Sequence, residues 1–274
     1  MEDERMVLTD RDGAVAILTL NRPNRMNAMD QAMLGEINRA LDWAEKDETI
    51  RAIVVTGAGN GFSSGFDLKA QAANTPKGVE EWRPVLRNDF ETTMRFWRSP
   101  KPTIAAVHGP ALAGACEMAI AADLTIADET ATFGEPELKF GAGIVTMILP
   151  WIAGPKIAKE IILTGEDQVS AQRAYEIGLV NRVVPAGSHL TSAIQTAKRI
   201  GSFDETLVRE TKRAINRSYE LMGMGEALEA ALDIDLLIEG EGMETKRHFL
   251  EIARKDGLRA ALAWRDKRLE ERGR

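Results

Sequence analysis

One cysteine, three histidines and no surplus of positive charge set the first limits on this chain of 274 residues. Cys116 by itself cannot close an internal disulfide, which fits a reducing compartment or a fold that uses no covalent staple. With three scattered histidines it offers no convincing metal-ligand set, so no metal is expected. The net charge of −7 argues against general nucleic-acid binding, which needs a basic stripe to displace counterions from phosphate. A membrane-crossing helix needs about twenty apolar residues in a row. The nearest candidate run is broken by His108, Pro110 and Glu117, so no membrane association is expected. The opening MEDERM is acidic where a secretory leader is basic and then apolar, and a cytoplasmic protein is expected. The Lys-Ser/Thr ending of a P-loop and a full GxGxxG fingerprint are both missing from the one glycine-rich loop that invites them.

What is present is ordinary globular material, with 44% hydrophobic and 28% charged residues. Its length suits one large core with an appendage, or two small domains. Residues 14–20 are aliphatic and bounded by Gly13 and an Asn-Arg-Pro turn, so they read as a buried strand. Asp30 can cap a helix in which Met33, Leu34, Ile37, Ala40, Leu41 and Ala44 recur at helical spacing. Residues 53–56 read as the next strand, and GAGNG leads from it into FSSGFDLK at 62–69. Small residues there can turn backbone amides toward a ligand, although such a loop taken alone is more often a plain turn. Residues 69–100 become helical, with a core stripe of Trp82, Leu86, Phe90, Met94 and Trp97. Residues 101–107 form a strand that ends at His108-Gly109-Pro110. Helices follow over 155–163 and 170–177, then a short strand over 180–184. Beyond Pro185 the chain is helical almost to its end, with amphipathic segments over 204–219, 225–238, 245–254 and 258–272 and a charged tail, RDKRLEERGR.

The chemistry concentrates in residues 111–137, ALAGACEMAIAADLTIADETATFGEPE. At Ala113-Gly114-Ala115 the backbone has almost no side chain, so a ligand can approach the unpaired N–H groups that begin the Ala-rich helix after it. Such amides are the material of an oxyanion hole. Glu117 lies one turn further in, and a glutamate in so apolar a segment is costly to bury unless it faces a polar pocket or holds a proton. Glu137 follows twenty residues later, past a strand-like DLTIA and the turn-prone FGEPE, a length that lets the chain return to the same place. Glu135 reads as a surface charge or a supporting one. His108 suits a turn where it satisfies backbone groups, and Cys116 reads as a packed thiol.

GACE followed twenty residues on by the PE of FGEPE resembles the active-site segment of the enoyl-CoA hydratase/isomerase (crotonase) family. FSSGFDLK, LNRPNRMNAM and LTGEDQVSAQRAYEIGLVNRVVP extend the resemblance over about residues 14–185. It implies an α/β fold, a crotonase-like spiral of ββα turns over residues 1–188 that holds the CoA-ester site. Residues 189–274 would then be a helical region for trimers that pair into hexamers, where the residues alone equally suit a lid packed on its own core. The implied activity is hydration of a 2-enoyl-CoA, with no prosthetic group and with coenzyme A as part of the substrate. The resemblance assigns the oxyanion hole to the amides of Phe66 and Gly114, the water to Glu117 and the proton to Glu137. It lays the adenine and pantetheine of coenzyme A along Arg25, Met26, Ala28, Asp67, Leu68 and Lys69, and the acyl tail near Trp82, Leu86 and Phe90. After Glu137 the chain departs from the Pro-Gly-Ala-Gly-Gly-Thr-Gln-like loop of many hydratases and reads LKFGAGIVTMILPW. That brings Val145, Met147 and Trp151 toward the acyl end, so an aromatic, branched or functionalised acyl group is as plausible as a short straight one. Both glutamates together favour hydration. The same enolate site would also serve an isomerase, a thioester hydrolase, a decarboxylase or a non-catalytic CoA-ester binder.

Overall fold

Short aliphatic runs alternating with amphipathic segments dictate a mostly parallel sheet with helices on both faces, because parallel neighbours need a crossover that must itself pack. A computed structural model has this architecture and describes residues 5–272; the first four residues of MEDERM and the last two of the RDKRLEERGR tail lie outside the described residues. The chain runs β1 (Val7–Asp12), β2 (Val15–Leu20), α1 (Gln31–Lys46), β3 (Ala52–Gly57), α2 (Leu68–Ala73), α3 (Gly78–Arg98), β4 (Thr103–Val107) and β5 (Pro110–Leu112). It continues through α4 (Gly114–Ala121), β6 (Leu124–Asp128), β7 (Thr132–Gly134), α5 (Glu137–Phe140), α6 (Leu149–Thr164), β8 (Val169–Ser170), α7 (Ala171–Glu176) and β9 (Arg182–Val184). Five helices close it: α8 (His189–Gly201), α9 (Glu205–Leu221), α10 (Met224–Glu241), α11 (Glu244–Lys255) and α12 (Leu258–Arg272).

The main sheet has the order β1-β2-β3-β4-β6-β9 and is antiparallel only between β1 and β2. A second, small sheet pairs β5 with β7 and β7 with β8. Strand side chains alternate between faces, and here both faces are covered. Ala16, Leu18, Leu20, Ile53, Val55, Ala105 and Val107 belong to the large core with α1, α3 and α4. Val15, Ile17, Ala52, Val54, Ile104 and Ala106 pack with Ala193 and Ala197 of α8. Two apolar faces are why these strands read as unbroken aliphatic runs. The unanticipated β1 is the edge strand; only Val7 of it is buried, and its Asp-Arg-Asp end discourages further pairing.

Local chemistry sets the helix ends. Asp30 accepts the Met33 N–H at 2.9 Å, a cap worth about 1 kcal/mol, and the six periodic residues of α1 are its buried face. The helix expected over 155–163 begins earlier, at Leu149, and bends at Gly154 (φ 79°) ahead of Pro155. Beyond residue 188, α8 lies on the sheet, α10 on α3, α11 on α2, and α12 against α11 and α5. Among the described residues no helix is long and apolar enough to cross a membrane.

Candidate active site

Two glycines join the loop at 62–69 to the start of α4. Gly65 has φ +88°, and a Cβ on it would lie 2.7 Å from the Leu112 carbonyl oxygen and 2.8 Å from the Ala113 Cβ. A Cβ on Gly114 would stand 2.3 Å from the Phe66 ring. Only residues without a side chain allow this approach. Backbone bonds hold it: Ser63 N–H donates to Pro110 O (3.0 Å), Leu112 N–H to Ser63 O (3.1 Å), and Asp67 N–H to Met29 O (2.9 Å). Among the described residues, the amides of Phe66 and Gly114 donate to no protein acceptor. The Gly114 amide also carries the positive end of the α4 dipole. Ala113, just before it, has φ 56° and ψ −138°, a strained conformation for a non-glycine, on the order of 1–3 kcal/mol, held by its N–H bond to Gly134 O at 2.8 Å.

Glu117 sits in the first turn of α4, a helix with every residue buried. Glu137 begins α5, and Glu135 follows β7 directly. All three are buried, and carboxylate oxygens of all three lie within 4.8 Å of one another. Glu117 Oε1 accepts the Thr146 N–H at 3.1 Å, whereas Glu117 Oε2, Glu137 Oε2 and both Glu135 oxygens have no partner. Burial first, and then the neighbouring carboxylates, hold Glu117 and Glu135 well above the usual carboxylate range. Burial, with the charge of Asp235 added, pushes Glu137 up to about 8. Burial and mutual repulsion therefore favour protonated forms within this group. The surface position allowed for Glu135 is corrected: the chain turns in at Gly134 and Glu135 N–H bonds to Glu166 O at 2.9 Å.

Arg25, Met26, Ala28, Asp67, Leu68 and Lys69 all line one cavity of about 760 Å³, together with Phe66, Ala113 and Glu137. Arg25 is half exposed and meets Asp67 Oδ2 at 3.5 Å, while Lys69 is exposed, so both cationic ends are reachable from the cavity. Asp67 is otherwise engaged: it caps α2 through the Lys69 and Ala70 amides at 3.0 Å and pairs with Arg22 at 3.1 Å. Arg22, itself only 12% exposed, also meets Asp30 at 3.2 Å and so ties the loop instead of facing a ligand. Asn27 fastens the same loop through Nδ2 to Ala58 O (2.8 Å) and Gly61 O (2.9 Å). His108 does not line the cavity; its Nε2 lies 3.0 Å from Gly59 O and its ring stacks on His189 at 4.4 Å. Cys116 is buried, and burial pushes its thiol well up, which removes it as a nucleophile.

A family model described as enoyl-CoA hydratase/isomerase matches residues 10–244. The chain belongs to the enoyl-CoA hydratase/isomerase family. A putative enoyl-CoA hydratase of Thermus thermophilus is 40% identical over 215 residues, covering 78% of this chain and 83% of that protein. The short-chain-enoyl-CoA hydratase of Clostridium acetobutylicum is 34% identical, with 88% of this chain and 90% of that protein covered. The crystal structure of an enoyl-CoA hydratase/isomerase from Xanthobacter autotrophicus Py2 is 63% identical with a TM-score of 0.95, covering 96% and 98% of the two chains. The fold is accordingly the crotonase fold.

Within this member of the enoyl-CoA hydratase/isomerase family, Trp82, Leu86 and Val145 line the cavity but Phe90 does not. Phe90 is fully buried in the core. At 3.6 residues per turn the lining face of α3 passes from Leu86 to Asp89, and Phe90 turns inward. Met147 and Trp151 pack against the core and also stay off the cavity wall. Instead, the sequence reading missed Asp89, Glu239 and Lys246, which do line it. The signal was there: Asp235 and Glu239 interrupt the buried stripe of Leu228, Leu232 and Leu236 on α10. The Glu117, Glu135 and Glu137 oxygens are also spaced to hold a metal ion, though their charge is equally relieved by shared protons.

Proposed function

We propose that this family member hydrates 2-enoyl-CoA thioesters. The observation that carries the reading is a pair of unpaired amides, at Phe66 and Gly114, beside a cavity that Phe66, Ala113 and Glu137 line, with Glu117 buried off the wall and within 4.8 Å of Glu137. Glu117 takes a proton from water as the water oxygen bonds to C3. The electrons of the C2=C3 bond move toward the thioester, and the carbonyl oxygen becomes an enolate oxygen. The Phe66 and Gly114 amides stabilise it, the kind of interaction whose loss costs about 10²–10³ in rate. The enolate re-forms its carbonyl as C2 takes a proton from Glu137. One water is added, Glu117 has gained a proton and Glu137 has lost one, and exchange through solvent restores both. Burial raises both acids, and the Thr146 N–H opposes that rise at Glu117, so Glu117 is the member of the pair taken here to ionise while Glu137 keeps a proton. Arg25 and Lys69 hold the phosphates of coenzyme A, which enters as part of the substrate, so no prosthetic group is needed. Exposed Leu207, Ile215 and Leu221 on α9 and Met222 just after it, with Ile234 and Leu237 on α10, support a trimer built through the C-terminal helices.

Turnover of enoyl-CoAs in heavy-oxygen water tests this. One labelled oxygen enters an intact CoA ester, and Glu117→Gln and Glu137→Gln each lower kcat about 10²–10⁴-fold. Across pH, kcat falls above about pH 8 as the raised Glu137 acid loses its proton. A shifted double bond without label would replace hydration by isomerisation.

A further inference from the structure

A second group of buried ionisable side chains stands at the wall of the same cavity, outside the proposed chemistry. Asp89 comes from α3, Asp235 and Glu239 from α10, and Lys246 from α11, and their exposures are 1%, 2%, 5% and 5%. Asp89, Glu239 and Lys246 line the cavity with Trp82 and Gly143. Lys246 Nζ bonds to Glu239 Oε2 and lies 4.8 Å from the centre of the Trp82 ring. Asp89 Oδ1 accepts from Gln31 Nε2 at 2.6 Å. Asp235 is different: both of its carboxylate oxygens are buried without any partner. The loop that departs from the usual family sequence is built onto this group. Gly143 N–H points to Glu239 Oε1 at 3.4 Å, and a Cβ on Gly143 would fall 1.9 Å from Asp235 Oδ1. Three residues on, Thr146 N–H bonds to Glu117, so one short loop bridges the glutamates and the second group.

Three acids surround one lysine; Asp89, Glu239 and Lys246 reach the cavity wall, while Asp235, whose two oxygens are unfilled, stands off it. A hydrocarbon tail would take water from Asp89, Glu239 and Lys246 and offer them no hydrogen bond in return. A carboxylated tail would meet like charge. An ammonium could donate but would crowd Lys246. A hydroxyl suits both sides, donating to Asp89 or Glu239 and accepting from one of the Lys246 N–H groups not used by Glu239.

On the reading that the cavity holds an enoyl-CoA, we propose that this enzyme takes 2-enoyl-CoAs whose acyl chain carries a hydroxyl beyond the double bond. Asp89, Glu239 and Lys246 bind that hydroxyl.

The test compares kcat/KM for 2-hexenoyl-CoA with its 4-, 5- and 6-hydroxy derivatives and with 6-amino and 6-carboxy chains of similar length. One hydroxylated ester is preferred over the plain chain by about 10⁴–10⁵-fold, the scale on which a site built for a hydroxyl rejects its absence. In Asp89→Leu and Glu239→Leu that ratio falls toward one, and Asp89→Asn, which keeps one acceptor, falls between. A plain, amino or carboxy chain preferred by the wild type overturns the proposal and leaves hydration standing. A hydroxyl preference that survives both leucine variants overturns the assignment of residues. Absence of all turnover defeats the hydratase reading alone. Calorimetry with hexanoyl-CoA and its 4-, 5- and 6-hydroxy derivatives then decides the pocket, and equal affinities overturn the hydroxyl.

Discussion

At the scale of single residues, the site depends on atoms that are missing as much as on those present. Gly114 has no Cβ because the Phe66 ring occupies that space, and Phe66 is itself proposed to donate the second amide. Gly114→Ala must push the ring aside and with it the Phe66 backbone. We expect kcat to fall about 10²–10³-fold with a much smaller change in KM, since the amides act on charge that develops only in the transition state. Steady-state kinetics decide it; an unchanged kcat would remove these two amides from the chemistry. Glu117 was legible because a glutamate in an Ala-rich helix demands a reason. Glu135 was not, because nothing local distinguishes a buried acid from a surface one when a turn decides which way it faces.

At the scale of elements, a helix can be read correctly and its function still missed. The stripe of α10 places it against α3, yet two of its buried positions are acids. Burial first, then Glu239, pushes Asp235 up to about 7, while Lys246 opposes the rise. In the unfolded chain an aspartate titrates at about 3.9. Between these values the folded protein binds a proton that the unfolded chain does not, so stability falls as pH rises from about 4 to about 7, by up to about 1.4 kcal/mol per unit. Asp235→Asn removes the penalty. Urea unfolding should show little difference from wild type at pH 4 and a gain on the order of 2–4 kcal/mol at pH 8. A difference that does not grow with pH would mean that Asp235 is ionised in the folded protein.

At the scale of the whole molecule, the C-terminal helices have two faces with different partners. Lys246, Leu258, Leu262 and Arg265 turn toward the cavity, while Leu207 and Leu221 of α9 stand 68% and 73% exposed. Light scattering on the purified protein should give a trimer or a multiple of it, and Leu207→Glu with Leu221→Glu should reduce the mass toward one chain. A wild-type monomer would leave the exposed face without that role. The sequence by itself determined the main strands and helices and singled out the residues proposed for the enolate site, because helix and strand periods, caps and a short glutamate-bearing stretch are local and survive without tertiary context. Asp30, Glu117, Glu137 and FSSGFDLK were all readable in this way. Only the tertiary structure decided what closes the far wall of the cavity. Asp89 and Lys246 are 157 residues apart, from 246 − 89, and no local rule links them. The packing of α3, α10 and α11 brings them to one cavity wall, with Phe90 turned into the core and Asp89 toward the cavity.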